Sequence, residues 1–89
     1  MNAFRLTVSS PNGNLFDEEA VFLRLRGVEG ELAIMAGHVP FVTVVKPCDC
    51  KIELDGGTEM IGHTEGGVLS VASNRVTLLS GSFAWKEKA

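Results

Sequence analysis

The sequence predicts an all-β fold, a small antiparallel β-sandwich of about nine or ten short strands. Several segments alternate apolar and polar residues with a period of two, as strands with one buried and one solvated face do. Glycine, proline, asparagine and aspartate separate these segments at short, regular intervals, which is typical of sandwiches and barrels. No stretch has the 3.6-residue period of an amphipathic helix. Residues 1–89 are therefore predicted to form a single β-sandwich domain.

The first third of the chain predicts strands over residues 4–9 and 20–26. Pro11-Asn12-Gly13 ends the first strand with typical turn residues. Leu15 and Phe16 form a short strand or a corner plug, and Asp17-Glu18-Glu19 could cap the start of a helix. The inward side chains are expected to be Phe4, Leu6 and Val8 in the first strand, and Val21, Leu23 and Leu25 in the second.

The remaining strands are predicted over residues 32–35, 39–45, 49–54, 58–61, 68–71, 75–79 and 80–85. Asp55-Gly56-Gly57 and Ser73-Asn74 separate two strand pairs and predict hairpins. Gly66-Gly67 indicates a bulge or a sharp corner. Residues 39–45 are nearly all apolar, so this strand is buried on both faces or offers one face to a partner. Core packing is the favoured interpretation for Leu32, Ile34 and Val44.

Charge and hydropathy exclude two classes of partner. The net charge is −3 and the eight basic residues are scattered, whereas a nucleic-acid binder needs a concentrated basic surface. No apolar run approaches the roughly 18 residues that span a bilayer, so no direct membrane insertion is expected. The N-terminus lacks the features of a signal or transit peptide. We expect a cytosol-like compartment, most simply that of a bacterium.

The cysteines and histidines do not predict a metal or cofactor site. Cys48 and Cys50 would point to the same face of a strand, where a disulfide is strained. A metal site would need two more ligands, and neither His38 nor His63 has a ligand spacing with the cysteines. Reduced, inert thiols are favoured over a metal site, and no cofactor is expected.

Residues 27–43 carry the most unusual pattern. Three glycines and Pro40 exclude a helix here. The glycine of Glu29-Gly30-Glu31 indicates a turn with positive φ, or a backbone that another surface approaches closely. His38 is the most plausible catalytic base, and Glu29 or Glu31 could orient it in space, which the sequence alone does not show. The sequence has no nucleophile elbow and no phosphate loop. An enzyme is therefore not predicted, and His38 is interpreted as a turn or interface residue.

This central pattern resembles the epsilon subunit of F-type ATP synthases, which is called delta in mitochondria. The resemblance begins in Glu29-Gly30-Glu31-Leu32-x-Ile34 and Gly37-His38-x-Pro40. It continues, in order and over nearly the whole chain, in Pro11-x-Gly13-x-Leu15-Phe16, Lys46-Pro47, Gly66-Gly67-Val68-Leu69-x-Val71 and Asn74-x-Val76-Thr77-Leu78-Leu79.

The resemblance implies a β-sandwich and a non-catalytic rotor subunit of the central stalk. Such a subunit binds the gamma subunit and the c-ring, so that ion-driven rotation of the ring reaches the catalytic head. It lies peripherally at the cytoplasmic face of the bacterial plasma membrane. By the same resemblance, Glu29, Gly30 and Glu31 face the c-ring. The surface that faces gamma and the ring contains Gly37, His38, Pro40, Phe41, Val42 and Thr43.

Three features depart from the family pattern. Cys48 stands where a glycine is common, and Ala36 replaces a proline often found before the Gly-His pair. The family's C-terminal helical hairpin, which carries inhibition of hydrolysis and in some members ATP binding, is expected to be absent. The alternative function is a free-standing β-sandwich module that binds a protein or a ligand. That alternative predicts one well-formed pocket, whereas the stalk subunit predicts an extended surface.

Overall fold

The computed structural model describes residues 3–86, and all ten elements in this range are strands. The predicted all-β fold of nine or ten strands is confirmed. Residues 1, 2 and 87–89 of the predicted domain lie outside the described residues. The strands are β1 (Phe4–Ser10), β2 (Gly13–Ala20), β3 (Phe22–Gly27), β4 (Gly30–Ile34), β5 (Phe41–Val45), β6 (Cys48–Glu53), β7 (Glu59–Thr64), β8 (Gly67–Ala72), β9 (Arg75–Ser80) and β10 (Phe83–Trp85).

The strands form two layers of a sandwich. We call the strands β4-β3-β6-β7-β10 the β3 layer and the strands β5-β8-β9-β1-β2 the β5 layer. The layers join where Gly27 at the end of β3 pairs with Val45 at the end of β5. Neighbouring strands are antiparallel, with the exception of the parallel pair β1–β9. Chain segments distant in sequence therefore meet at the Gly27–Val45 junction.

The core lies between the two layers and contains aliphatic and aromatic side chains from both. Five of the six side chains predicted to point inward are buried, whereas Val21 is only half-buried because it lies at the bend between β2 and β3. Burying a side chain of this size stabilises the fold by roughly 1.5–3 kcal/mol. The buried apolar residues are Phe4, Leu6, Val8, Phe16, Ala20, Leu23, Leu25, Ile34, Val45, Cys50, Ile52, Leu69, Val71, Val76 and Leu78.

Strand β2 includes residues 17–19, which could instead have capped the start of a helix. These acidic residues continue the strand and pair in register with β1. The Nε–H of Arg5 donates a hydrogen bond to Oδ1 of Asp17 at 2.8 Å, and a carboxylate oxygen of Glu19 lies 3.9 Å from the same guanidinium. Cross-strand pairing between unlike charges thus replaces helix capping here.

The segment around β5 differs from its prediction in two ways. The strand begins at Phe41, so Val39 and Pro40 lie outside the ladder. Val44 is 54% exposed, and its assignment to the core is wrong, because the alternation of β5 places Val45 inward and Val44 outward. Leu32 is half-buried against the core and Ile34 is fully buried, as predicted.

The predicted hairpins are present. Asp55-Gly56-Gly57 connects β6 to β7, where the N–H of Leu54 donates to the carbonyl of Thr58 at 2.8 Å. Ser73-Asn74 connects β8 to β9, and Asn74 has a φ of +52°. The predicted strand over residues 80–85 is interrupted, because Ser80 ends β9 and β10 begins only at Phe83.

Candidate interaction surface

The Glu29-Gly30-Glu31 stretch forms the tip of the β3–β4 hairpin. Gly27 pairs with Gly30, and Val28 and Glu29 make the turn between them. Gly30 has a φ of +125°, which confirms the predicted need for positive φ. A Cβ at Gly30 would have no atom within 4 Å, so the backbone conformation and not the space requires glycine. Gly30 and Glu31 belong to β4 rather than to a separate loop.

The side chains of the two hairpin acids, Glu29 and Glu31, are exposed, and their carboxylates are not paired with other groups of the described residues. Within the described residues, the carboxylates of Glu29 and Glu31 take part in no hydrogen bond or salt bridge. Glu31 lies opposite Arg26 in the ladder and lines a cavity of about 250 Å³ together with Arg24 and Cys48. Solvated carboxylates without an internal partner are free to meet a basic or polar surface.

The segment from Met35 to Pro40 carries the chain from the β3 layer to the β5 layer. Met35 and Val39 are exposed, and the N–H of His38 donates to the carbonyl of Met35 at 3.2 Å. The Nδ1 atom of His38 lies 2.8 Å from the carbonyl oxygen of Val39, and its ring lies 5.0 Å from the ring of Phe41. His38 therefore contacts its own segment and the start of β5, and among residues 3–86 no carboxylate is hydrogen-bonded to its ring to orient it as a general base.

Members of both sets of residues predicted to contact partners line one cavity. This cavity has a volume of about 400 Å³ and lies where the hairpin tip approaches β5. The N–H of Val28 donates to the carbonyl of Val44 at 3.1 Å, which holds the hairpin against the strand. Gly37, His38 and Pro40 lie on the segment that leads into β5 and do not line the cavity, and Glu31 lines the other cavity described above. The lining residues are Gly27, Glu29, Gly30, Leu32, Phe41, Val42 and Thr43.

An apolar row on the outer face of the β5 layer extends this surface. Its part on β5 fits the predicted alternative in which that strand offers one face to a partner, whereas its continuation onto β8 and β9 was not predicted. Val44 of β5 lies opposite Val68 of β8, which lies opposite Leu79 of β9. Val28 and Val42 adjoin this row, and the five side chains are between 39% and 67% exposed. We call these five residues the apolar stripe. The sequence signal was available, because the outward positions of β8 and β9 include apolar residues where a solvated strand would be polar.

The outer face of the β3 layer is charged and internally paired. The Nζ atom of Lys51 lies 3.6 Å from a carboxylate oxygen of Glu53 and 3.4 Å from one of Glu59. His63 lies between two acids, with Asp49 at 2.9 Å from Nδ1 and Glu65 at 2.8 Å from Nε2. The two outer faces thus differ in chemistry, and the contiguous apolar row is on the β5 layer.

Matching of the sequence to known families gives one decisive result. The model of the family described as ATP synthase, Delta/Epsilon chain, beta-sandwich domain matches residues 3–86. The chain belongs to this family. The resemblance inferred from the sequence motifs is thereby confirmed, and so is the β-sandwich.

Individual relatives agree with the family assignment. The chain is 40% identical over 80 residues to the ATP synthase epsilon chain of Delftia acidovorans; the match covers 90% of this chain and 58% of that relative. A chain in the Euglena gracilis mitochondrial ATP synthase matches with a TM-score of 0.89, at 22% identity over 93% of this chain and 53% of that chain. A chain in the Tetrahymena thermophila mitochondrial ATP synthase matches with a TM-score of 0.76 and 15% identity. This match covers 89% of this chain and 63% of that chain. These two likenesses show the shared fold.

The paired charges on the β3 layer shift two pKa values in this member of the ATP synthase delta/epsilon family. The hydrogen bond that His63 donates to Asp49, followed by the one that it donates to Glu65, raises the pKa of His63 above its ordinary value. The hydrogen bond from His63, followed by that from Lys86, lowers the pKa of Asp49. Both groups are solvent-exposed, so the effect on stability is screened.

Cys48, which stands where the family commonly has a glycine, is the first residue of β6. Its Sγ lies 3.3 Å from the backbone N–H of Arg26, which donates to it. Cys48 and Cys50 are both free thiols, and burial together with the neighbouring Cys48 raises the pKa of Cys50 to about 12. A thiol with so high a pKa is protonated and a poor nucleophile or metal ligand. In residues 3–86, no three His, Cys, Asp or Glu side chains are grouped to hold a metal ion.

Over the described range, the fold offers no helix with the length and apolarity needed to cross a membrane.

Proposed function

We propose that this chain is the β-sandwich part of a rotor subunit in the central stalk of an F-type ATP synthase. It binds the gamma subunit and the c-ring and couples ion-driven rotation to ATP synthesis. The part is non-catalytic, and the nucleotide chemistry belongs to the catalytic head. Its place is peripheral, at the cytoplasmic face of the bacterial plasma membrane.

One observation carries this proposal: several of the residues that the family resemblance assigns to partners lie side by side on one exposed surface. The hairpin tip with Glu29 and Gly30 and the strand residues 41–43 line the same cavity. The apolar stripe continues from that cavity across β5, β8 and β9. A surface of this extent on a small domain is typical of a protein interface.

The surface combines two chemistries that suit two partners. The unpaired carboxylates of Glu29 and Glu31 suit the polar and basic loops of a c-ring, where charge complementarity governs association. The apolar stripe suits the apolar side chains of a helical partner such as the gamma coiled coil, where burial of apolar area drives association. Because the two regions adjoin, one domain can contact both partners at once.

The position of the surface also suits a part that transmits torque. It lies at the junction of the two layers, where Gly27 pairs with Val45 and the N–H of Lys46 donates to the carbonyl of Arg26 at 3.0 Å. Force applied to the surface therefore passes into the hydrogen-bonded ladders of both layers. A sandwich tied together in this way resists shear.

The solved relatives support the same assignment. The Tetrahymena thermophila structure is described as central stalk and c-ring, and the Euglena gracilis structure includes F1 and the c-ring. The alternative, a free-standing binding module, predicts one well-formed pocket. The exposed apolar face formed by β5, β8 and β9 is instead the extended surface that the stalk subunit predicts.

The test is co-purification from defined components. The full 89-residue chain, carrying an affinity tag, is mixed with purified gamma and with detergent-solubilised c-ring from the same source. The proposal expects saturable retention of each partner and a ternary assembly when both are present. A chain that stays alone with both partners in excess would contradict the proposal and favour the free-standing module.

A further inference from the structure

Asn74 connects three parts of the fold that are distant in sequence. It lies in the turn between β8 and β9, and it is the one non-glycine residue in the described range with a positive φ, at +52°. Its backbone carbonyl accepts a hydrogen bond from the N–H of Arg5 at 2.9 Å. Its side-chain Oδ1 accepts a hydrogen bond from the N–H of Gly37 at 3.2 Å. The turn is thereby joined to β1 and to the segment that carries the chain between the layers.

The bond to Gly37 matters because residues 35–40 have few other attachments. Over residues 3–86, the other hydrogen bonds of this segment stay inside it, from the N–H of His38 to Met35 and between the His38 ring and Val39. The segment is mostly exposed and lies outside the ladders. Without the contact to Asn74, its position would depend on the ends of β4 and β5 and on the packing of His38 against Phe41.

Asparagine is suited to this position for two separate reasons. Its short polar side chain tolerates the left-handed backbone region better than most residues do. Its amide also offers an acceptor oxygen that the turn holds in a fixed direction. The backbone conformation and the side-chain contact can therefore be separated by substitution.

We propose that Asn74 is a positioning residue for the interaction surface. Its amide oxygen holds the Gly37-His38 corner in place, so that His38, Val39 and Phe41 are preorganised before a partner arrives. This inference rests on the proposed function, because the partners are those named there. Preorganisation raises affinity by reducing the conformational entropy lost on binding.

The test compares three variants of the full 89-residue chain. Asn74→Gly keeps the positive φ and removes the acceptor oxygen. Asn74→Asp keeps an acceptor oxygen and also tolerates the positive φ. Ser73→Gly is the matched control, since it places a glycine in the same turn and leaves the contact to Gly37 intact. Each variant is examined by hydrogen exchange of the Gly37 amide and by its Kd for purified gamma and for the c-ring.

We expect Asn74→Gly to lose the contact with Gly37 and part of the affinity for the partners, and Asn74→Asp to retain both. Asn74→Gly should speed exchange at Gly37 and weaken binding about 2- to 10-fold, the value of one hydrogen bond. Asn74→Asp and Ser73→Gly should match the unaltered chain in both measurements. A normal exchange rate and Kd for Asn74→Gly would overturn the inference, and so would a loss in Ser73→Gly as large as that in Asn74→Gly.

Failure of the inference and failure of the proposed function are distinguishable. If the unaltered chain binds neither gamma nor the c-ring, the proposed function fails and the positioning role for that surface falls with it. If the unaltered chain binds both and Asn74→Gly binds equally well, only the positioning role fails. Hydrogen exchange at Gly37 reports the contact itself in either case.

Discussion

Val44 on β5 lies directly opposite Val68 on β8, and both side chains face solvent. A single exposed valine on a strand is unremarkable, but here Leu79 continues the row on the next strand. The row lies on the outer face of the sandwich, so the core does not need it. This exposed apolar row is the feature on which the proposed interface rests.

Replacing Val44 and Val68 by threonine should separate folding from assembly. Threonine keeps the β-branched shape, and exposed substitutions usually change the free energy of unfolding by about 0.5 kcal/mol or less. At a covered interface the added hydroxyls would be buried, and each one left without a hydrogen-bond partner would weaken binding by about 1–3 kcal/mol. The measurements are thermal melting of the free chain and its Kd for gamma.

Ile61→Thr is the matched control for this pair, because Ile61 is an exposed apolar residue on β7 of the other layer. It should leave the Kd unchanged. Equal weakening by Ile61→Thr, or a large drop in melting temperature for the valine variant, would show that the apolar stripe is not a specific interface.

Replacing Glu29 and Glu31 together by alanine should affect the c-ring contact and spare the fold. The carboxylates have no partner within the described residues, so the free energy of unfolding should change by no more than about 0.5 kcal/mol. Binding to the c-ring should weaken, and its dependence on salt should become shallower, because fewer charge pairs remain to be screened. Binding is measured at two salt concentrations beside a melting curve.

Glu18→Ala serves as the control, since it removes an exposed carboxylate from β2. It should change neither the c-ring affinity nor the salt slope. If instead the double variant melts far lower and binds the ring normally, the hairpin acids are structural and their assignment to the interface is wrong.

Gly67→Ala should strongly destabilise the fold. A Cβ at Gly67 would overlap the carbonyl oxygen of Leu79, and it would lie 2.9 Å from the carbonyl carbon of the same residue. These are backbone atoms of the neighbouring strand, which cannot move aside as a flexible side chain can. We expect a loss of about 1–3 kcal/mol or more in urea unfolding.

Gly81→Ala provides the comparison, because a Cβ there meets no atom within 4 Å. Its unfolding free energy should be close to that of the unaltered chain. Similar curves for the two alanine variants would mean that β8 and β9 are not packed as closely as the structure shows.

His63 should make stability depend weakly on pH. Its pKa is raised in the folded chain by Asp49 and Glu65, so its stabilising contribution is fully present below the unfolded value of about 6.5. The contribution is lost as the pH rises through the folded pKa. The melting temperature should therefore fall as the pH rises from below about 6.5 through the folded pKa, and the fall should be smaller in His63→Gln.

Comparing the two curves of melting temperature against pH cancels the contributions of groups that titrate equally in both proteins. A His63→Gln curve parallel to that of the unaltered chain would show that the Asp49–His63–Glu65 cluster does not stabilise the folded state. Lowering the pH below about 4 tests a different group, since Asp49 contributes above its unfolded pKa and loses that contribution on protonation.

The sequence by itself determined the local features of this protein. The alternation of apolar residues located nearly all the strands, and the Asp55-Gly56-Gly57 and Ser73-Asn74 turns predicted both hairpins correctly. The glycine between Glu29 and Glu31 predicted a positive φ, and the motifs around it indicated the family. Each of these features depends on the chemistry of a few consecutive residues, which the sequence displays directly.

Only the tertiary structure decided how these elements meet. A period of two shows that a strand has two faces but not which face is covered, and so Val44 was wrongly assigned to the core. The crossing from β4 to β5, the parallel pairing of β1 with β9 and the contact of Asn74 with Gly37 all join distant segments. Such pairings are selected by packing between the two layers, and no local sequence pattern encodes them.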